Sequence, residues 1–182
     1  DLSPNAILEG LVALASQGVP LEALKEDHFS QYRIAKLVTR LLEGLQKLFD
    51  NGAAKLSEIT RKNSKSVRTV QALALLAEAL KGINLFSAEE LQQVCEGLPR
   101  NWKEQISRLS CWATGNFNQD EEKLLGKREE FALHSARVVR WVEDLPRLKP
   151  VLFLITQRVL GQLLQSLYER MRSKGIVTFG GI

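Results

Sequence analysis

Apolar residues recur along this chain with the period of a helix. Ile34, Leu37, Val38, Leu41, Leu42, Leu45, Leu48 and Phe49 are spaced three and four apart, which gathers them on one side of a helix from about Asp27 to Phe49. Asp50-Asn51-Gly52 supplies its stop. Before it, Ser3-Pro4 opens a helix whose stripe of Ile7, Leu8, Leu11, Val12, Leu14 and Ala15 ends at Gly18 and Pro20. Residues 21–26 add a short turn and 53–61 a brief helix. A polar turn over 61–66 then leads into a helix over 66–80, with Val67, Val70, Leu73, Leu76, Ala77 and Leu80 on its buried side.

Ser87 followed three residues later by Glu90 has the pattern of a capping box, and Leu91, Val94 and Leu98 carry the helix it starts to Pro99. Trp102, Ile106, Leu109 and Trp112 predict another helix, and 114–119 a loop. Asp120-Glu121-Glu122 suits the positive end of a helix dipole. Leu124, Phe131, Val138 and Leu145 repeat every seven positions as far as Pro146, so one helix is expected over 120–145. Pro150 begins the last long helix, which runs to about residue 173. Because Val151 to Ile155 is apolar on every side, that helix is expected to be buried at the centre, with 28–49 and 120–145 packed against it. The fold class is therefore all-α: a single-domain bundle of about six to eight helices over 1–174, with 175–182 as a flexible tail or the start of a following segment.

Composition agrees: 45% of the 182 residues are hydrophobic and 25% charged, and only five prolines and twelve glycines interrupt them. Two cysteines make no disulfide framework or thiolate metal site. There is no N-x-S/T acceptor and no basic-then-apolar leader. The longest apolar run, Val151 to Ile155, is far too short to span a bilayer. These features point to a soluble intracellular protein, cytoplasmic or nuclear.

The net charge of +4 is unevenly distributed. Residues 1–54 carry −2 (five basic, seven acidic), 55–68 carry +4 (five and one), 69–130 carry −3 (seven and ten) and 131–182 carry +5 (eight and three). A basic block can meet phosphate or an acidic protein, or balance the acidic blocks of its own fold.

The segment from Leu56 to Leu73 has the spacing of a helix-turn-helix and resembles that motif: Ile59 seats the first helix, Ser64 lies in the turn, Ser66 caps the second helix, and Val70 and Leu73 pack it back. It departs from the motif at Asn63 and Lys65, where apolar residues are usual. The resemblance implies that Ser66, Val67, Arg68 and Gln71 face bases while Arg61, Lys62 and Lys65 contact phosphates. The other reading is a solvated turn between bundle helices. With Lys55, these residues form one candidate nucleic-acid surface. Arg137, Arg140, Arg147 and Lys149 form a second, in which Trp141 could stack on a base or belong to the core.

No catalytic set emerges. His134 follows Glu130 by one helical turn and could touch it, but the pair sits beside the Phe131/Val138 stripe, where a hydrogen-bonded structural histidine is common. The sequence contains no G-x-S-x-G elbow, phosphate-binding glycine loop or H-E-x-x-H helix. The paired acids at 89–90, 120–122, 129–130 and 143–144 point about 100° apart on a helix and read as solvated surface. Cys111 reads as a small buried hydrophobe. No cofactor or metal is expected. The preferred function is a non-enzymatic protein-interaction or regulatory module, with Trp102, Trp112 and Trp141 as candidate anchors. Nucleic-acid binding through 55–68 and 137–149 is the alternative, and lipid or small-molecule binding in a helical cavity is a third reading.

Overall fold

The helical periodicity is realised throughout. The computed structural model describes residues 3–17, 20–59 and 64–175, and among them there is no strand. Helix α1 spans Pro4–Ser16, and Ser3 Oγ accepts the Ala6 N–H at 3.2 Å, as its capping pattern predicts. A 3-10 turn follows at Leu21–Leu24, then α2 at Gln31–Leu48 and the single turn α3 at Ala54–Leu56. Helix α4 spans Lys65–Lys81, α5 Ala88–Gly97, α6 Trp102–Gln105, α7 Ser107–Ala113, α8 Gln119–Leu124, α9 Arg128–Asp144 and α10 Pro150–Ser173. The residues beyond 175, where the tail was expected, lie outside the described residues.

Several boundaries differ from the periodicity, each for a local reason. The helix expected over 102–112 is broken at Ile106, whose φ of −93° and ψ of 13° leave the helical region. The helix expected over 120–145 is two helices, because Leu125-Gly126-Lys127 turns the chain while Leu125 stays buried against Gly52. Gly52 has a φ of 134°, and a Cβ there would lie 2.5 Å from Leu125 Cδ2, so only glycine fits the turn between α2 and α3. At the start of α5, Ser87 Oγ accepts the Glu90 N–H at 3.2 Å as predicted, but Glu90 returns its bond to the Leu85 N–H at 2.8 Å, beyond Phe86 in the left-handed region.

Contacts group the chain into two compact units, residues 30–149 and residues 1–29 with 150–182. In the unit of residues 30–149, α9 packs against α7 and α2, and α4 against α2 and α7. Ile34, Leu41, Leu45, Leu73, Leu76, Leu109, Trp112 and Phe131 are almost fully enclosed there, with the Trp112 and Phe131 rings edge to face at 5.3 Å.

In the other unit α10 packs against α1 and the 3-10 turn. Gln157 Nε2 donates to the Glu26 carbonyl at 2.8 Å, and the Phe153 ring meets His28 and Phe29 at 5.7 and 5.5 Å. Helix α10 is not the buried central element that its apolar start predicts. Only Pro150, Gln157 and Leu164 are buried, a single line at seven-residue spacing, while Phe153 and Ile155 are nearly half exposed. The reason is that α1 and a short turn, the elements packed on it within its unit, cover a single face of it.

Candidate interaction groove

Two of the three tryptophans are core residues. Trp102 is buried and donates its indole N–H to the Val142 carbonyl at 2.8 Å, tying α6 to α9. Trp112 is buried on α7 and donates to Glu121 Oε1 at 2.8 Å. Neither serves as an exposed anchor, because a large apolar ring with a satisfied N–H is a ready-made core residue in a bundle this small. Trp141 differs: it is 56% exposed on α9.

Glu121 overturns the solvated reading of its acidic cluster. Its carboxylate is wholly buried, yet fully bonded. Oε1 accepts from Ser66 Oγ at 2.7 Å, Arg108 Nε at 2.9 Å and Trp112 Nε1 at 2.8 Å; Oε2 accepts from the Arg108 guanidinium at 2.5 Å and the Asn118 N–H at 2.8 Å. Burial opposes its ionisation, but the bonds from Arg108, Asn118, Ser66 and Trp112 outweigh that and hold the carboxyl below its ordinary value. Asn118 Oδ1 in turn accepts the Glu121 N–H at 3.0 Å, completing a capping box at the start of α8. The N-x-x-E spacing at 118–121 was the available sequence signal, although it identifies a helix start and not a buried ion pair. One carboxylate thus joins α4, α7 and α8.

This arrangement also bears on the helix-turn-helix resemblance. Ser64, not Ser66, is the N-cap position of α4, and the Ser66 hydroxyl points inward to Glu121, so it cannot face bases. Val70 and Leu73 pack inward as the motif requires. Lys55, Lys65, Arg68 and Gln71 are exposed, while Arg61 and Lys62 lie outside the described residues. In the second block, Arg137, Arg140, Arg147 and Lys149 are exposed, and Arg147 pairs with Asp144 at 3.4 Å.

Of these basic residues, Arg137 lines a groove of about 430 Å³ between α2 and α9, in which no described residue of the 55–68 block takes part. Its other cations come from α2. Arg33, Lys36, Arg40 and Lys47 fall within a sector of about 60° on that helix. Leu37, Leu41 and Val138 supply apolar lining, and Trp141 stands on the α9 side with His134 two turns before it. The helices approach closely because residue 44 is glycine: a Cβ there would lie 2.5 Å from Val138 Cγ1. The lining of the groove holds five basic side chains and one carboxylate, that of Glu43. Among the described residues no ion pair engages Lys36, Arg40, Lys47 or Arg137, although Lys36 Nζ lies 5.9 Å from the centre of the Tyr32 ring. The α2 cations were missed because they sit in a segment whose total charge is negative; their mutual spacing of three, four and seven was the signal.

The remaining reactive side chains are dispersed. Glu130 pairs with Lys127 at 3.3 Å and not with His134. Both cysteines are free, and burial, with the charge of Glu96 adding to it, pushes the Cys95 thiol up to about 11. Among the described residues no three His, Cys, Asp or Glu side chains converge as a metal would require, and no helix is long and apolar enough to cross a membrane. No protein-family model, curated protein or solved structure matches the chain.

Proposed function

We propose that this chain is a non-enzymatic interaction module whose α2/α9 groove receives an acidic surface of another protein. The supporting observation is the combination of four α2 cations and Arg137 along an apolar floor with one exposed indole. Electrostatic complementarity sets partner choice and speeds encounter, while tryptophan and arginine are the residue types that most often dominate binding energy. A glutamate-rich 16-residue peptide, fluorescently labelled, tests the proposal by anisotropy. It should bind at low salt, weaken as salt rises, and lose binding to a Lys36→Glu/Arg40→Glu/Arg137→Glu variant that keeps the wild-type circular dichroism. Absence of binding at 50 mM salt refutes the proposal.

One observation favours a nucleic-acid occupant of the same groove: Arg137 and Trp141 lie one helical turn apart on α9, both exposed, as a phosphate contact and a stacking platform would. A 12-nucleotide oligo(U) that binds more tightly than the peptide and displaces it supports this second reading.

A further inference from the structure

We infer that the occupant of the α2/α9 groove is an amphipathic partner helix of about four turns, carrying acidic residues every seventh position opposite Arg33, Arg40 and Lys47. This inference rests on the proposed acidic-partner reading and adds the shape and register of the bound segment.

Arg33, Arg40 and Lys47 recur every seven residues along α2, which at 1.5 Å per residue sets the cations about 10.5 Å apart over about 21 Å. A helix laid alongside repeats its own face at the same interval, so acids seven positions apart meet all three cations in register. An extended strand shows the same face every second residue, about 6.6 Å, and runs out of step by the second cation.

Apolar side chains lie between the charges. Leu37 and Leu41 on α2 and Val138 on α9 floor the groove, with Leu41 and Val138 buried and Leu37 half-buried. An acidic coil would leave Leu37 and the exposed Trp141 ring wet, whereas an apolar seam at positions i, i+3, i+4 and i+7 covers them while its flanking acids reach the rim. Stacking platforms are scarce in the groove. Sequence-tolerant strand binding stacks successive bases on successive aromatics, and among the described residues lining this groove only the Trp141 indole and the His134 imidazole, two turns apart, are aromatic. A second copy docking the same face is disfavoured, since it would oppose five cations with five cations.

Three labelled 18-residue peptides of identical composition separate the outcomes: one with glutamates every seventh position beside a leucine seam, one with the same glutamates moved to the far side of the helix, and one scrambled. With the full chain at 50 mM salt, the first should bind about tenfold more tightly than either of the others. Arg40→Glu, a change at an exposed position, should weaken it about tenfold. Changing the peptide's central glutamate to lysine should restore binding to that variant. Equal affinity for all three peptides, each weakened by Arg40→Glu, overturns the helical register while leaving the acidic-partner reading intact. Failure of every peptide overturns both. Displacement of the first peptide by oligo(U) at lower concentration overturns the inference and assigns the groove to nucleic acid.

Discussion

Truncating Glu121 to alanine removes the acceptor for five hydrogen bonds from a wholly buried site. The consequences differ by donor. Arg108, whose side chain is 17% exposed, keeps its bond to the Asn116 carbonyl at 3.0 Å and can recover water. Ser66 and Trp112 are too deeply buried to do so. Each stranded donor costs about 1–3 kcal/mol, and breaking a buried ion pair from one side costs about 3–5 kcal/mol in all; these overlap, so about 3–5 kcal/mol is expected overall. Against a domain stability of about 5–15 kcal/mol this is severe. With a urea m-value of about 2 kcal/mol/M, the unfolding midpoint should fall by about 1.5–2.5 M. Glu122→Ala is the control. Its carboxylate pairs with Arg128 at 2.9 Å on the surface, so its loss should cost about 0–1 kcal/mol.

The same experiment run against pH tests the electrostatic account separately. Glutamate in an unfolded chain titrates near about 4.3, and Glu121 is held lower in the fold. Its stabilisation is therefore complete above that value and is lost as pH falls through the depressed folded value. The gap in stability between wild type and Glu121→Ala should hold from pH 7 to about 5 and narrow below about 4. A gap under about 1 kcal/mol at pH 7, a gap no larger than that of Glu122→Ala, or a gap that widens on acidification would each refute the reasoning.

Gly44→Ala places a methyl 2.5 Å from the buried, stiff Val138 side chain, so despite alanine's better helix propensity it should cost about 1–3 kcal/mol by thermal denaturation, and adding Val138→Ala should recover part of the loss. Gly52→Ala meets both Leu125 and a φ of 134°; here Leu125→Ala should rescue little in urea unfolding, because the backbone strain of about 1–3 kcal/mol remains. In fluorescence quenching, iodide should reach only Trp141 in the native state, and Trp141→Phe should abolish the quenchable fraction while leaving stability within about 0.5 kcal/mol.

Much of the helix plan is legible because burial here follows a strict period. Ile34, Val38, Leu41, Leu45 and Leu48 are all enclosed, as the three-and-four spacing of α2 requires. The seven-residue repeat from Leu124 to Leu145 was misleading in one respect. It correctly identified Phe131, Val138 and Leu145 as core, but at its start the buried residue is Leu125 and not the half-buried Leu124, because the turn at Leu125-Gly126-Lys127 shifts the register by one. For α10 the failure ran the other way. Composition establishes that residues 151–155 are apolar all round, yet enclosure depends on how many neighbours a helix finds, which is tertiary information.

The two features of most consequence, the basic groove and the buried carboxylate, were obscured by summing charge along the chain when it acts around a helix. Residues 1–54 sum to a negative charge, yet four of their five basic residues share one sector of α2, and one acid of that helix, Glu43, joins them in the groove. Asp120, Glu121 and Glu122 fail as a group for the same reason. Successive positions point about 100° apart, so consecutive acids face different surroundings, and the one that α8 directs inward, Glu121, requires donors. Arg108 and Trp112 lie four residues apart on the preceding helix, one turn, and Ser66 arrives from α4. An inward acid matched to an arginine and an indole at helical spacing is a pattern readable from residues; the third donor, which comes from a distant helix, can be supplied only by the fold.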